Sequence, residues 1–317
     1  MILENEPTKQ DVTEAHERIK KQIHRTPTLT SLSINKIAGC ELYFKCENLQ
    51  KVGAFKFRGA SNAVLSLSKE ELRKGVATHS SGNHAAALAL AAQMKSVLAY
   101  IIMPRTAPQI KKIAVDGYGA KIIFCEPTLQ AREETLAKVV DETGTTFIHP
   151  YNNYSVIAGQ ATCAKEILEE LTDLDYIIPP VGGGGLASGT CLSAKYFSGK
   201  TKVIGAEPLG ADDAFRSLRD KIIYPSSNPK TICDGLLTSL GEKTFAILCT
   251  NLEAILTASE VSIIEAMRLI WERMKIIVEP SSAVTLAVVL QNKEKFAGKK
   301  IALILSGGNV DLTKLPF

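Results

Sequence analysis

The chain has 317 residues, of which 45% are hydrophobic and 22% are charged, and this is the composition of an ordinary globular protein. Its formal net charge of +4 is small for this length, and no basic block stands out, so neither a nucleic acid nor an anionic membrane is expected as a partner. No apolar run reaches the roughly 18 residues that a membrane span needs.

The N-terminus and the cysteines predict a cytoplasmic protein. The first residues, MILENEPTKQDV, are polar and acidic and do not resemble a signal peptide. Seven cysteines are scattered singly, without a CxxC pair or a metal-ligand spacing, which indicates reduced thiols.

Strand-like and helix-like stretches alternate along the first third of the chain. A first helix is predicted from about residue 11 to residue 24, with Asp11 as its N-cap. The strand GCELYFKCE follows, and after the loop NLQKVGAF a helix is expected to begin near Lys56. Ser68, Glu71 and Gly75 then supply the capping box and the stop of a short helix, SKEELRKG.

Three strand–helix units follow in close succession, beginning with the strands VATHS, VLAYIIM and AKIIFCE. Strands that alternate with helices of about 10–15 residues predict a parallel sheet with helices on its faces. We expect residues 75–151 to form a small mobile domain, inserted in a large domain made of residues 1–74 and 152–317. DYIIPPV, TKVIGAEP and KKIALIL are further strands of that large domain.

Lys56 is the most informative residue of the chain. It lies between Phe55 and Phe57, with Gly53 and Gly59 nearby. Lysine is almost never fully buried unless it is paired, and loss of solvation lowers the pKa of its amine. A neutral amine is the nucleophile that Schiff-base chemistry needs. The alternative is an ordinary surface lysine beside a buried pair of phenylalanines.

Four consecutive glycines, Gly182, Gly183, Gly184 and Gly185, lie between a predicted strand and a predicted helix. Such a run lets the backbone approach a ligand and directs several N–H groups and the positive end of the helix at it. This pattern predicts a phosphate site. A dinucleotide-binding loop fits poorly because its G-x-G-x-x-G spacing is absent, and a flexible turn is the other alternative.

Two further turns follow predicted strands. Ser80 to His84, in the run SSGNH, opens an alanine-rich helix, and hydroxyl and N–H groups at a helix N-terminus suit a substrate carboxylate. A simple helix cap is the alternative reading. Ser306 begins the run SGGN after the strand KKIALIL, where ligands bind in open α/β sheets, although an ordinary glycine turn is equally compatible.

The run AEPLGADDAF places two carboxylates and a carbonyl close together. Glu207, the Ala211 carbonyl and Asp213 could hold a hard divalent cation through oxygen ligands. A solvated acidic loop explains the same residues equally well.

The order and identity of these motifs resemble a known family. ENLQKVGAFKFRGA, SSGNHAAALA, VGGGG and SGGNVDL are similar to segments of the serine racemase and serine/threonine dehydratase family, whose members use pyridoxal 5′-phosphate (PLP). The resemblance extends from about residue 10 to residue 313. It implies an α/β protein of fold type II, tryptophan synthase β-like, with two open, twisted, mostly parallel sheets flanked by helices.

The resemblance also implies roles for individual residues. Lys56 would form the Schiff base with PLP and Phe55 would lie beside it, while Gly182 to Gly185 would bind its phosphate, Asn83 its ring hydroxyl and Ser306 its pyridine nitrogen. The remaining roles are those of the substrate, cation and nucleotide sites: Ser80, Ser81, Asn83, His84, Arg132 and Thr238 for the amino acid substrate; Glu207, Ala211 and Asp213 for Mg²⁺ or Ca²⁺; Lys111, Tyr118, Lys275 and Asn309 for ATP as an allosteric activator.

The implied reaction is racemisation of serine, accompanied by elimination of serine to pyruvate and ammonia. Lys56 would remove the Cα proton on one face, and Ser81 is the candidate acid on the opposite face. The second serine of SSGNH favours a racemase or a 3-hydroxyaspartate ammonia-lyase, since bacterial threonine dehydratases resemble SAGNH here. A serine hydroxyl at the pyridine nitrogen cannot hold it protonated as a carboxylate would.

Other possibilities stay open from the sequence. The chain could be a serine/threonine dehydratase or a 3-hydroxyaspartate ammonia-lyase with little racemase activity. Tyr151 stands where mammalian racemases carry Asn, and this difference bears on the ratio of racemase to lyase activity. A non-catalytic binding module is a different class of function, against which Lys56 and the glycine run argue. A homodimer is the expectation that the resemblance gives.

Overall fold

The computed structural model describes residues 6–107 and 109–317. Within these residues, ten strands form two sheets. The strands are β1 to β10 in chain order: Thr28–Thr30, Glu41–Cys46, Val76–His79, Ala99–Pro104, Lys121–Cys125, Thr146–Phe147, Tyr176–Ile178, Lys202–Pro208, Ala254–Ala258 and Lys300–Leu305.

The fourteen helices of the described residues surround these sheets. They are α1 to α14 in chain order: Lys9–Ile19, Leu32–Ala38, Lys56–Leu65, Lys69–Lys74, Asn83–Met94, Gln109–Gly117, Leu129–Thr143, Tyr154–Glu170, Gly185–Phe197, Asp213–Asp220, Glu242–Asn251, Glu260–Met274, Pro280–Gln291 and Lys293–Phe296. None of those described is long and apolar enough to cross a bilayer.

One sheet has six strands in the order β1-β2-β10-β7-β8-β9, and the other has four in the order β5-β4-β3-β6. Only β1, which pairs with β2, is antiparallel. Five of the six residues of β10 are buried, as expected of a central parallel strand that is covered on both faces. The architecture is the predicted one, two mostly parallel sheets flanked by helices.

Parallel strands present their carboxyl ends at one edge of each sheet. β3 ends before Ser80, β7 leads through a short loop to the glycine run, and β10 ends at Leu305, just before Ser306. The helices that follow the first two turns therefore begin where ligands of open α/β sheets bind.

All four strands of the second sheet come from residues 76–147, inside the segment 75–151. Its hydrophobic core is not confined to that segment, however. Leu88 and Ile101 belong to one buried cluster with Ile19 of α1 and Phe57 of α3. The predicted domain boundaries and the mobility of the small domain stay predictions.

Two helix starts illustrate how local sequence sets these elements. The capping box of α4 is as predicted, with Ser68 as the N-cap, Glu71 bonded back to it and Gly75 at the C-cap. The first helix begins earlier than predicted, because Thr8 is its N-cap. Asp11 is the third helical residue and accepts the Thr8 N–H at 2.8 Å, so it completes a capping box from inside the helix.

Candidate active site

Lys56 is the first residue of α3, and its side chain is partly buried. Its Nζ donates to the carbonyl of Pro150 at 3.0 Å and lies 5.2 Å from the centre of the Phe55 ring. Burial lowers the pKa of Lys56 to about 8, and the negative charge of Glu279 acts in the opposite direction. The amine therefore gives up its proton far more readily than an exposed lysine does.

The glycine run lies against the residue that follows Pro150. A Cβ on Gly183 would be 2.4 Å from Cδ1 of Tyr151, and one on Gly185 would be 2.9 Å from its Cβ. Gly184 is the N-cap of α9, has a φ of 84°, and supplies no side-chain cap to the helix. The run is bare backbone at an uncapped helix start, which is the arrangement that suits a phosphate.

Ser306 is hydrogen-bonded to Phe55, the residue before Lys56. Its carbonyl accepts the N–H of Phe55 at 2.9 Å, so β10 and the start of α3 are joined at this point. Its buried hydroxyl lies 3.2 Å from that of Ser282, the third residue of α13. Ser306 therefore offers a neutral hydroxyl, in agreement with the chemistry expected from the sequence.

Asn83 connects the two sheets. Its amide nitrogen donates to both oxygens of Glu279, at 3.1 and 3.2 Å, and its oxygen accepts from Asn309 at 2.9 Å. Burial raises the pKa of Glu279 to about 7. A Cβ on Gly307 would be 2.7 Å from this carboxyl, which places it beside the turn that follows Ser306.

Part of the SSGNH turn is already hydrogen-bonded: the N–H of Ser80 donates to the carbonyl of Ile102 at 3.1 Å, and that of Gly82 donates to the Ser80 hydroxyl at 3.4 Å. Gly82 is the N-cap of α5 and no side chain caps the helix, so the first N–H groups of the helix have no partner within it. The ring of His84 is turned to Ile148, whose carbonyl lies 3.2 Å from Nε2. Because burial holds the pKa of His84 well below its ordinary value, its ring is neutral. A carboxylate at this turn would be held by backbone N–H groups and the hydroxyls of Ser80 and Ser81, rather than by an imidazolium.

Arg132 and Thr238 lie in different parts of the chain, one in a helix and the other in a loop. Arg132 lies in α7, and its Nε is buried without a hydrogen-bond partner in the described part of the chain. Thr238 is an exposed loop residue next to Tyr151. Burial raises the pKa of the Tyr151 phenol, and a hydrogen bond with the Thr238 hydroxyl opposes part of this rise.

The predicted cation ligands do gather. Glu207 is the second-to-last residue of β8. Its carboxylate accepts the N–H groups of Ala214 and Phe215 at 3.0 and 2.8 Å. Asp213 is buried, and neither of its carboxyl oxygens has a hydrogen-bond partner among the described residues. Burial raises the pKa of Glu207 to about 8 and that of Asp213 to about 6. Arg216, whose charge acts on Asp213, is itself paired with Asp212 at 2.8 Å. Two buried carboxyls with raised pKa values fit a divalent cation.

This pair does not amount to a complete ligand set by itself. No group of three or more His, Cys, Asp or Glu side chains is arranged as a metal site within residues 6–107 and 109–317. The Ala211 carbonyl and water would have to supply the remaining oxygen ligands.

The predicted nucleotide residues are dispersed. Lys111 forms an ion pair with Asp234 at 2.7 Å, and Asn309 donates to Val52 and Asn83. Tyr118 packs against the second sheet's core, and Lys275 is an exposed C-cap with a φ of 59°. These four side chains have different neighbours, and the nucleotide site stays a prediction.

The sequence reasoning missed Glu279 and the Pro150 carbonyl. Glu279 precedes Pro280 at the start of α13, so the sequence signals a helix N-cap and nothing more. Its contact with Asn83 joins residues 196 positions apart. A backbone carbonyl such as that of Pro150 has no sequence signature at all.

Comparison with known proteins identifies the family. A model of the family described as "Pyridoxal-phosphate dependent enzyme" matches residues 19–307. The chain is 52% identical to a beta-hydroxyaspartate dehydratase of Paracoccus denitrificans, over 98% of this chain and 99% of the relative. It is also 52% identical to a serine racemase of Dictyostelium discoideum, over 97% of this chain and 96% of the relative.

A crystal structure of the Dictyostelium discoideum serine racemase superimposes with a TM-score of 0.93, covering 96% of this chain and 99% of the other. The fit of the residues to PLP is independent of this likeness: it rests on an amine of lowered pKa, an uncapped glycine run and a neutral serine hydroxyl. The resemblance found in the motifs is confirmed, and the chain belongs to the pyridoxal-phosphate dependent enzymes of fold type II.

Proposed function

We propose that the chain is a PLP-dependent serine racemase that interconverts L- and D-serine and also eliminates serine to pyruvate and ammonia. The observation that carries the proposal is Lys56: a partly buried amine of lowered pKa that has a carbonyl, and no carboxylate, as its hydrogen-bond partner. When bound, PLP supplies an electron sink that stabilises negative charge at the substrate Cα.

The chain's own residues supply the rest of the chemistry. The N–H groups and hydroxyls of the SSGNH turn hold the substrate carboxylate, which orients Cα toward Lys56. Lys56 removes the Cα proton, and the Ser81 hydroxyl returns a proton from the other face, which inverts the centre. Where the β-hydroxyl leaves before a proton is returned, the product is the keto acid. Ser306 stays neutral beside the pyridine nitrogen.

A second candidate is the dehydration of 3-hydroxyaspartate, and Arg132 favours it. The Nε of Arg132 is buried without a hydrogen-bond partner in the described part of the chain. A guanidinium pairs with a carboxylate in a two-pronged geometry. Serine has only one carboxylate, whereas 3-hydroxyaspartate offers a second one. The similarity to the Paracoccus denitrificans dehydratase points the same way.

The proposal includes features that accompany this activity. Glu207, the Ala211 carbonyl and Asp213 bind Mg²⁺ or Ca²⁺, and ATP acts at Lys111, Tyr118, Lys275 and Asn309 as an activator. The enzyme works as a cytoplasmic homodimer, and the segment 75–151 closes over the substrate to keep water from Cα. The raised pKa values of the two carboxyls support the cation site.

One assay separates the candidates. The purified enzyme with PLP is given L-serine, D-serine, L-threonine or L-threo-3-hydroxyaspartate, and both the change of chirality and the keto acid are measured. We expect D-serine and pyruvate from L-serine. Keto acid from 3-hydroxyaspartate with no D-serine from L-serine would favour the second candidate, and no turnover of any substrate would refute both.

The variant Arg132→Met sharpens the comparison. If Arg132 binds a second carboxylate, kcat/KM for 3-hydroxyaspartate should fall by about 10-fold or more in the variant, while kcat/KM for L-serine should change little. The reason is that a hydrogen bond to a charged group contributes about 1.5–3 kcal/mol. Equal losses on both substrates would assign Arg132 to the shared carboxylate and remove the support for the second candidate.

A further inference from the structure

Four charged side chains lie buried beneath the start of α3. They are Lys45 of β2, Glu47 of the turn after β2, Arg58 of α3 and Glu166 of α8, and none is more than 1% exposed. Nε of Arg58 donates to Glu47 at 2.8 Å, and its Nη1 donates to Glu166 at 2.7 Å. Nζ of Lys45 lies 2.8 Å from Glu166. This buried quartet has two positive and two negative charges.

The hydrogen bonds of Arg58 are complete. Nη2 donates to both Glu47 and Glu166 at 2.8 Å, and the second proton of Nη1 goes to Thr162 at 3.2 Å. All five N–H groups of the guanidinium are therefore used. Lys45 also donates to the carbonyl of Thr26 at 2.7 Å. Because the guanidinium fork is planar and rigid, only one placement of the surrounding elements satisfies all these bonds.

The quartet joins the two elements that define the surroundings of Lys56. Arg58 follows Lys56 by two residues, in the first turn of α3. Glu166 belongs to α8, which begins just after the loop that supplies the Pro150 carbonyl to Lys56. A shift of either helix would therefore move the amine relative to its hydrogen-bond partner.

These two helices also touch backbone to backbone. A Cβ on Gly159 would be 2.7 Å from the Cα of Gly59, and the N–H of Gly59 donates to Gln160 at 3.2 Å. Close contact between two glycines does not by itself fix the register of the helices. The bond to Gln160, a bond from Asn62 to the carbonyl of Ser155 at 2.7 Å, and the buried ion pairs beside the contact fix it together.

Stability is a poor explanation for the quartet. Moving charged groups out of water costs several kcal/mol per ion, and apolar replacements of similar volume often leave a protein equally stable. What apolar side chains do not supply is a directional set of bonds that only one geometry satisfies. We infer that Arg58, through the buried quartet, is a positioning residue that fixes Lys56 against its site; the inference rests on the proposed role of Lys56.

The test replaces the quartet with neutral side chains of similar shape: Lys45→Met, Glu47→Gln, Arg58→Met and Glu166→Gln. The holoenzyme is compared with wild type in Tm, in kcat and KM for L-serine, and in the pH titration of its visible absorbance. We expect a Tm within a few degrees of wild type and an unchanged KM. We expect kcat to fall about 100-fold, since misplacement by about 1 Å costs that much, and the titration midpoint to move.

Arg25→Met is the matched control. Arg25 forms ion pairs with Glu169 and Glu170 of the same helix, α8, at 2.9 and 3.1 Å, but these side chains are largely exposed. Its loss should leave kcat and the titration midpoint unchanged. Native kcat and a native midpoint in the neutral quartet would overturn the inference.

A second variant keeps the inference testable if the neutral quartet does not fold. Arg58→Lys keeps the charge but cannot form the fork. Reduced kcat with PLP bound and a native KM supports the inference, and native kcat overturns it. If both variants fail to fold, the quartet is a determinant of folding and the inference is rejected. Absence of turnover in wild type would instead refute the proposed function, while the titration midpoints would still report on positioning.

Discussion

Lys56 owes its low pKa to burial and not to a neighbouring cation, and the negative charge of Glu279 limits the effect. Burial also lowers the pKa values of two imidazoles nearby, to about 4 for His149 and well below the ordinary value for His84. The two imidazoles near the amine are therefore neutral at pH 7, and Glu279 is the acidic group whose charge acts on it. Such surroundings favour an amine that alternates between its charged and neutral forms during turnover.

Ser81 gives a prediction at this scale. Replacing it by Ala should lower D-serine formation from L-serine about 100-fold or more, because a positioned general acid contributes about 10²–10⁴ in rate. Elimination of L-serine should be partly retained, since it does not need a proton on the second face. Both products are measured in one time course.

Ser81→Thr is the control for this experiment, because it keeps a hydroxyl at the same turn. It should retain more racemisation than Ser81→Ala. Equal loss of both activities in Ser81→Ala, with an unchanged Tm, would show that Ser81 only shapes the start of α5.

The residues that the sequence could predict are those that carry their own signal. A lysine between two phenylalanines and a run of four glycines are unusual in any context. In the structure Lys56 bonds to Pro150, and the glycine run packs against the next residue, Tyr151. Glu279 could not be predicted, because its role depends on a contact with Asn83 made by the folding of distant segments. Asp11 was assigned to the wrong cap position because Thr8, one turn earlier, competes for it.

At the scale of elements, the strand ends determine the site. The carboxyl ends of β3, β7 and β10 are each followed by a turn of small or hydroxyl-bearing residues. The alternation of strands and helices predicts this arrangement, because parallel strands end at the same edge of a sheet. What the pattern could not give is the packing of Tyr151 against the glycine run, since the loop that carries it has no regular structure.

The glycine run leads to a prediction at this scale. In Gly184→Ala, a residue at a φ of 84° would carry a Cβ 2.8 Å from Leu240 and 2.9 Å from Thr244. Backbone strain of about 1–3 kcal/mol and the steric clash should both displace the start of α9. We expect a lower Tm and faster loss of PLP on dialysis, followed by absorbance.

Gly199→Ala is the matched control. Gly199 has a φ of 72°, but nothing lies within 4 Å of its Cβ position. It isolates backbone strain from the clash, so Tm should fall less and PLP retention should be native. If both variants lost PLP equally, the loop geometry would not be what holds the phosphate.

At the scale of the whole molecule, the two sheets are joined by few polar contacts. Within the described residues, Lys111–Asp234 is the one ion pair between the segment 75–151 and the rest of the chain, and it is partly exposed. An exposed pair of this kind contributes about 0–1 kcal/mol. The apolar cluster shared by α1, α3 and α5 is the stronger connection, and it does not follow the boundary that the sequence pattern predicts at residue 75.

The stability of the whole molecule should depend on pH through Glu207 and Asp213. Their pKa values rise from 4.5 and 3.8 to about 8 and about 6 on folding. The folded state thus binds more protons than the unfolded state, so without a cation this contribution is full at low pH and is lost as pH rises through 6 and 8. A divalent cation needs both carboxylates ionised, so it should stabilise most at pH 8.

The measurement is Tm at pH 5.5 and pH 8, in chelator and with Mg²⁺ or Ca²⁺. In chelator Tm should be lower at pH 8, and the cation should raise it there more than at pH 5.5, because a ligand that binds only the native state stabilises it. The double variant Glu207→Gln/Asp213→Asn removes both charges and should abolish the cation effect and flatten the pH dependence. A cation shift of equal size in wild type and the double variant would place the cation elsewhere.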